Sequence, residues 1–537
     1  MRRIPRANPR APVGVVVIGY QDAAHVADAV RSALAQGPVV RQVVAVDDCS
    51  TDGSAELLAR MAETEPRLTV IRRTANSGGC GTPRNAGLDA VTTPYVMFLD
   101  SDDVLAPGAV EVLLAAATAG RAEVASGLCV RRELPSGREV PWQPALYGTR
   151  TVVDHPARCP RLVRDALCVN KLYRTDFLRE HAIRFPDGRF PYEDIVFTAR
   201  VLAAGPRIAL VPDRVYVWHV RRSAERLSIS LDRSGVGKWR ARTHACRTAY
   251  DILLGAGQKE LARAARARFL DHELRLYAHE LELRDARYQR AWWTRTRECL
   301  AEYDAADWAR SPAAPGSLLG RVVLASPEPC DLPRLRELAA RPARLLPPYA
   351  RAADGTPVWS DDLPEVTLEP LLARPVGMLP LAVDAELRPR ARDSRLRLRL
   401  HELYGRVAQA GPREVEVEWR RRDDGRTASC RTAALAPAPD GWRAVAPVDL
   451  AALAASGAGT WDLYLRLRFG DGASREVTAH ARAGDGLLRR RAVPSARYGL
   501  LLVQSYATHS GALALRVAAG PRGAGAVVRG RLRRLLH

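Results

Sequence analysis

The stretch Tyr95-Val96-Met97-Phe98-Leu99-Asp100-Ser101-Asp102-Asp103 decides the fold of this chain. Its first five residues are an unbroken apolar run, which reads as a buried strand. Three carboxylates follow where that strand ends. In open α/β sheets, ligands bind outside the carboxyl ends of the strands. Acids crowded at such an end repel one another unless a cation sits between them. Oxygen ligands favour Mg²⁺ or Mn²⁺, and these ions bind diphosphates. The stretch therefore points to a metal–nucleotide site. The plainer reading is an acidic turn capping the helix that follows Pro107.

Outward from this stretch the periodicity alternates between strand and helix. Val13 to Ile18, Gln42 to Val46 and Leu68 to Ile71 read as further strands. Ala24 to Gln36 and Gly53 to Glu63 have helical spacing, and Ser50, Thr51 and Asp52 offer the second helix its N-cap. Strand–helix alternation predicts a mostly parallel sheet covered on both faces, a Rossmann-like α/β domain. From residue 106 to about 235 the pattern is mixed. Residues 236–345 read as mainly helical, interrupted by the Pro/Ala/Gly stretch Ser311 to Ser317. Period-two alternation dominates beyond: Leu396 to Leu400, Val415 to Trp419 and Trp461 to Phe469. Turns such as Asp423-Asp424-Gly425 and Gly470-Asp471-Gly472 separate these runs, which predicts an all-β, immunoglobulin-like sandwich module. The expected organisation is a basic tail at 1–11, an α/β domain at 12–235, a helical region at 236–345, and a β module with a basic tail at 346–537.

A chain of 537 residues is too long for one ordinary domain. Lys and Arg number 81 against 60 Asp and Glu, a net charge of +21. That balance suits an anionic polymer or an anionic membrane face. The basic residues are spread through the chain with no basic-aromatic motif, so no specific nucleic-acid partner is expected. Nine cysteines occur singly, which fits reduced thiols in the cytoplasm. The basic start lacks a long apolar stretch, so no signal peptide is expected, and no window is apolar enough for a membrane-spanning helix.

Four further segments carry candidate chemistry. Asp47-Asp48-Cys49-Ser50-Thr51-Asp52-Gly53-Ser54 ends the second strand, where carboxylates can accept hydrogen bonds from a base or a ribose; alternatively it is a plain turn. In Asn76-Ser77-Gly78-Gly79-Cys80-Gly81-Thr82-Pro83-Arg84-Asn85, glycines permit close approach of backbone to a ligand, and Arg84 can grip a diphosphate with its fork. Phe190-Pro191-Tyr192-Glu193-Asp194 precedes an apolar helix, as a helix start or as the seat of a general base. Val217-Trp218-His219-Val220-Arg221-Arg222 ends in Ser228-Ile229-Ser230; His219 can complete a metal shell, and Arg222 or Ser228 can reach a phosphate.

Taken in order and with their spacing, these segments resemble the family 2 glycosyltransferases, which have the GT-A fold, over about residues 12–235. The helical region and β-rich end resemble, by architecture, the bacterial branch that decorates wall teichoic acid or related polyol-phosphate polymers. The resemblance implies an inverting, metal-dependent transferase, hexosyl or N-acetylhexosaminyl. It would use a UDP-sugar donor and Mn²⁺ or Mg²⁺. Tyr20, Asp48 and Asp52 would hold uracil and ribose, Arg84 the nucleotide or its diphosphate, and Arg222 a phosphate. Asp100 and Asp102 would occupy the D-x-D positions, Asp102 as metal ligand with His219 and Asp100 as an alternative ribose contact. Asp194 would be the catalytic base, with Glu193 beside it. Gln21 departs from the pattern, which usually has Asn there. The implied acceptor is a cell-surface polymer (teichoic acid, capsule or other polysaccharide) or its lipid-linked precursor, met by a cytoplasmic protein peripheral to the inner membrane face. The β module would bind polymer or join copies into a homo-oligomer.

Two other classes compete. A nucleotidyltransferase shares the alternation and acidic sites but carries a Gly-rich, Lys-containing signature near its first strand, absent after Val13 to Ile18. A non-catalytic carbohydrate-binding or scaffold protein with a degenerate transferase domain is disfavoured by the intact Arg84, Asp102 and Asp194.

Overall fold

The computed structural model describes residues 11–134, 137–221, 232–310, 314–455, 457–482, 490–508 and 510–520. The basic tails expected at the two ends fall outside the described residues, apart from Ala11. The chain divides into two compact units. One is Met1–Glu273 with Ala301–Pro312; the other is Leu274–Leu300 with Ala313–His537. The helical region expected at 236–345 is thus divided between them.

In the first unit, Val13, Val15, Val16 and Val17 are each at most 1% exposed, because their strand is covered on both faces. This strand, β1 (Val13–Gly19), pairs in parallel with β2 (Val40–Asp47) and β4 (Tyr95–Asp100), and β2 pairs in parallel with β3 (Leu68–Arg72). The helices α1 (Val26–Leu34), α2 (Ser54–Ala62) and α3 (Gly81–Ala90) alternate with these strands as the periodicity predicts. The cap of α2 differs from expectation: Gly53 takes the position with φ +92°, and Asp52 Oδ1 accepts from Ser54 N, two residues on, at 3.1 Å.

Beyond β4 the sheet is mixed. After β5 (Val104–Leu105) and α4 (Ala109–Gly120) come β6 (Val124–Leu134), β7 (Arg138–Pro141), β8 (Thr151–Val153), β9 (Lys171–Arg174) and β10 (Ile208–Arg221). The main order is β3-β2-β1-β4-β9-β6-β10-β5, and β9 runs antiparallel to both neighbours. Helices α5 (Thr175–Glu180), α6 (Glu193–Ala203), α7 (Val236–Gly255) and α8 (Lys259–Arg268) complete the part of this unit that shapes the site, with α7 packed on α6.

The second unit is helical at first and then sheet-rich. Its five-stranded sheet centres on Arg395–His401, where Leu396, Leu398 and Leu400 are buried and Arg395 and Arg397 exposed, as period-two alternation requires. A seven-stranded sheet is built around Pro412–Arg421 and Gly459–Phe469, with Trp419 and Trp461 each 1% exposed. None of the nine cysteines is disulfide-bonded. Among the described residues, no helix is long and apolar enough to cross a membrane.

Candidate functional site

The register of the parallel strands assembles the site. Gly19 lies opposite Asp47, and Ile18 opposite Asp100, so β1, β2 and β4 end side by side. The residues just past those ends are Tyr20, Asp48 and Ser101-Asp102-Asp103. They face the crevice where α/β sheets take ligands.

At the β1–β2 edge, Tyr20 is 48% exposed. Asp48 is buried, and its Oδ2 accepts from Ser77 N at 3.0 Å, Ser77 Oγ at 2.8 Å and Asn76 Nδ2 at 3.1 Å. Its Oδ1 lies 2.8 Å from Arg73 Nε. Neither Arg73 nor Ser77 is singled out by sequence; one follows a strand, the other opens a glycine-rich loop, and only the fold brings both to Asp48. Asp52 ties the two strand-end loops together: Oδ1 accepts from Ser54 Oγ at 2.6 Å and Oδ2 from Ala23 N at 2.9 Å.

The glycine-rich loop approaches protein where sequence suggested ligand. A Cβ on Gly79 would lie 2.6 Å from Gly188 O, and one on Gly81 2.0 Å from Pro186 O. These glycines let α3 press its first turn against the segment that leads to Glu193.

That contact delivers Arg84 to its partners. The side chain is 2% exposed; Nη2 donates to Asp100 Oδ1 at 2.6 Å, and Nη1 to Glu193 Oε1 at 2.5 Å and Asp194 Oδ1 at 3.0 Å. The expected fork toward a diphosphate is instead a fork toward three carboxylates. Burial holds the Glu193 carboxyl up, to about 7, against the pull of Arg84. Burial likewise raises Asp194, which Arg84 pulls down and which accepts from the Cys168 thiol and amide. Asp194 still shows 23% of its side chain to solvent.

The three acids after β4 divide their work. Asp103 is buried: Oδ2 accepts from Tyr216 Oη at 2.8 Å and Oδ1 from His219 N at 2.7 Å. The Asp100 amide donates in turn to Tyr216 Oη at 3.3 Å. Burial and the neighbouring Asp102 push the Asp103 carboxyl well up. Asp102 points outward, 38% exposed, with Oδ2 2.8 Å from Arg221 Nη1.

His219 Nδ1 is 2.9 Å from the Asp102 carbonyl oxygen. A carbonyl only accepts, so Nδ1 carries the proton and Nε2 keeps its lone pair. Burial lowers the His219 pKa, which favours that neutral form. Asp102 and His219 meet through that backbone carbonyl, while the Asp102 carboxylate is held by Arg221; carboxylate and neutral imidazole are ligand types that divalent ions take. Among the described residues, no group of three or more His, Cys, Asp or Glu forms a closed cage; Mg²⁺ and Mn²⁺ sites commonly borrow the rest from substrate phosphates. Arg222 and Ser228, expected near a phosphate, lie outside the described residues.

Residues 14–181 match the model of the family described as Glycosyl transferase family 2. The succinoglycan biosynthesis protein ExoO of Rhizobium meliloti is 30% identical over 243 residues, which cover 42% of this chain and 66% of ExoO. The poly(ribitol-phosphate) beta-N-acetylglucosaminyltransferase TarS of Staphylococcus aureus is 30% identical over 187 residues, 35% of this chain and 31% of TarS. The chain thus spans from about a third to just under two thirds of these relatives' lengths. The crystal structure of S. aureus TarS aligns with 95% of this chain and 85% of its own, with a TM-score of 0.54 and 19% identity. TarS 1–349 in complex with UDP-GlcNAc aligns with 65% of this chain and 97% of its own, with a TM-score of 0.51 and 20% identity. At such identities the structural likeness is one of fold.

Proposed function

We propose that this chain, whose residues 14–181 are a family 2 glycosyltransferase domain, moves a sugar from a UDP-sugar to a hydroxyl of a bacterial surface polymer or its lipid-linked precursor, with inversion. The observation that carries the reading is the meeting of Asp100, Glu193 and Asp194 on one buried guanidinium, beside the outward-facing Asp102 and His219.

Each residue then has a task. Tyr20 and Asp48 receive the uracil and ribose, with Asp52 bracing their loops. Asp100 borders the ribose and diphosphate. Asp102 and His219 would hold Mn²⁺ or Mg²⁺. When bound, that ion neutralises charge on the departing diphosphate. Asp194 accepts the proton of the attacking hydroxyl. The acceptor oxygen forms its bond to the anomeric carbon as the bond to the diphosphate oxygen breaks on the opposite side, which inverts that carbon. Glu193 shares Arg84 with the base and keeps it in place.

The acceptor class is supported by the curated relatives, one a succinoglycan biosynthesis protein and the other a poly(ribitol-phosphate) beta-N-acetylglucosaminyltransferase. Net charge +21 favours a polyanion or an anionic membrane face, met by a peripheral cytoplasmic protein. The sheet-rich second unit is assigned to polymer binding or self-association, with an immunoglobulin-like plan.

Asp194→Asn tests the reading. UDP affinity should stay while UDP release from a donor such as UDP-GlcNAc or UDP-glucose falls by about 10²–10⁴-fold. Turnover within severalfold of wild type would remove Asp194 from the role. Donor-independent polymer binding with no turnover in any form would favour the scaffold alternative.

A further inference from the structure

A second set of contacts reaches Glu193 and Asp194 from the side of α7. Tyr192 is the residue from which α6 starts, and its backbone is left-handed, with φ +66°. A bulky residue rarely adopts that conformation, and it persists only where neighbours over-determine it. One such neighbour is Arg242 of α7, whose Cζ lies over the Tyr192 ring, 3.9 Å from its centroid. A guanidinium at this distance is held by the face of the ring.

Arg242 is itself anchored. Its Nη1 pairs with Glu273, which is fully buried and lies 2.8 Å from Arg268 Nη1 on its other side. Glu273 enters from the π-helical turn Phe269–Leu274, a rare irregularity that recurs at functional sites. Burial opposes its charge, but Arg242, Arg268 and His272 outweigh it and bring the carboxyl down to about 2. The same helix α7 touches this loop again, where the Phe190 and His244 rings stand 5.5 Å apart.

We propose that Arg242, anchored by Glu273, is a positioning residue for the transfer reaction: it pins the Tyr192 ring and so sets where Glu193 and Asp194 leave the start of α6 to meet Arg84. The inference rests on the reading of Asp194 as the base. Arg84 holds the ends of both carboxyl groups and Cys168 that of Asp194. Tyr192, one residue earlier, fixes the backbone from which they leave. An ångström of misplacement at a base costs on the order of 10²-fold in rate.

The test uses the full chain, with UDP binding by calorimetry, donor turnover, and hydrogen exchange across residues 188–200. Tyr192→Phe keeps the ring face and should retain several times the kcat of Tyr192→Leu, which should lose about 10–100-fold. Arg242→Met leaves Glu273 buried without one partner and risks unfolding. Two companions avoid this: Arg242→Lys, which keeps a charge facing Glu273, and Arg242→Met combined with Glu273→Met. Both should match Tyr192→Leu in kcat, keep UDP affinity within about 2-fold, and raise exchange in 188–200 while the strands stay protected. Unchanged exchange in this segment, or UDP affinity falling in step with kcat, would overturn the proposal. If Asp194→Asn keeps its turnover, the base assignment fails, while the exchange data still decide whether Arg242 fixes the start of α6.

Discussion

Arg84 Nη1 donates to Asp194 Oδ1 at 3.0 Å across 110 residues of sequence. The same guanidinium serves Glu193 and Asp100, and it is almost wholly buried. Removing one partner of a buried charge cluster leaves the others uncompensated. Arg84→Met should therefore destabilise the first unit by about 3–5 kcal/mol, read from denaturant unfolding. Arg84→Lys should recover part of the stability and little of the rate, because an ammonium cannot fork toward carboxylates on two elements. Equal rescue of both by lysine would mean that charge alone matters.

The raised carboxyl groups set opposite pH trends for stability and rate. Glu193 moves from 4.5 in the unfolded chain to about 7 in the folded one. Between those values the native state holds a proton that the unfolded state has lost. Its contribution to stability is complete below 4.5 and fades as pH rises through about 7. Rate follows the other direction if Asp194 is the base, because it must then be ionised to accept a proton. With its pKa raised above 3.8, the acidic limb of kcat should lie above the ordinary aspartate range. Unfolding curves and kcat profiles from pH 4 to 9 check both signs; a stability that climbs with pH across this window, in variants with Glu193 intact, would contradict the assignment.

Asp102 and Asp103 are neighbours in sequence with different work. Asp103→Ala takes the acceptor from the Tyr216 O–H and the His219 N–H and should cost about 1–3 kcal/mol of stability. Asp102→Asn sits at a half-exposed position and should leave unfolding unchanged within about 0.5 kcal/mol. What it should lose is the Mn²⁺-dependent rise in melting temperature that UDP gives the wild type. Thermal scans with UDP, with and without Mn²⁺, separate the two residues. A metal-dependent shift that survives Asp102→Asn would remove Asp102 from the metal site.

This division shows where sequence reading stops. The apolar runs named their strands because burial on both faces leaves no other pattern for Val13 to Ile18 or Tyr95 to Leu99. Which of the acids in Asp100-Ser101-Asp102-Asp103 turns toward them depends on Tyr216 and His219, more than a hundred residues away. Arg84 looked like a diphosphate grip because its partners Glu193 and Asp194 come to it only through the fold. Arg242 and Glu273 gave no sequence signal at all: a buried ion pair on two helices reads as ordinary surface charge until the helices are packed.

The glycines before Arg84 offer a last test, since the sequence reading and the structure assign them different neighbours. If Gly81 served to admit a ligand, Gly81→Ala would weaken UDP binding and spare the fold. In the structure its added Cβ would lie 2.0 Å from Pro186 O, a backbone atom that cannot swing aside. Either the first turn of α3 or the segment ahead of Phe190 must then move. Asn85 ties these two by accepting from Phe185 N at 2.9 Å and donating to Phe185 O at 3.0 Å, so the strain is shared rather than relieved. Overpacking of this kind costs about 1–3 kcal/mol. Gly81→Ala should lower the free energy of unfolding by that amount and reduce kcat through displacement of Arg84 from Glu193 and Asp194. UDP affinity should be nearly unchanged, because Tyr20 and Asp48 stand on other elements. Calorimetry with UDP beside a denaturant melt decides between the two readings.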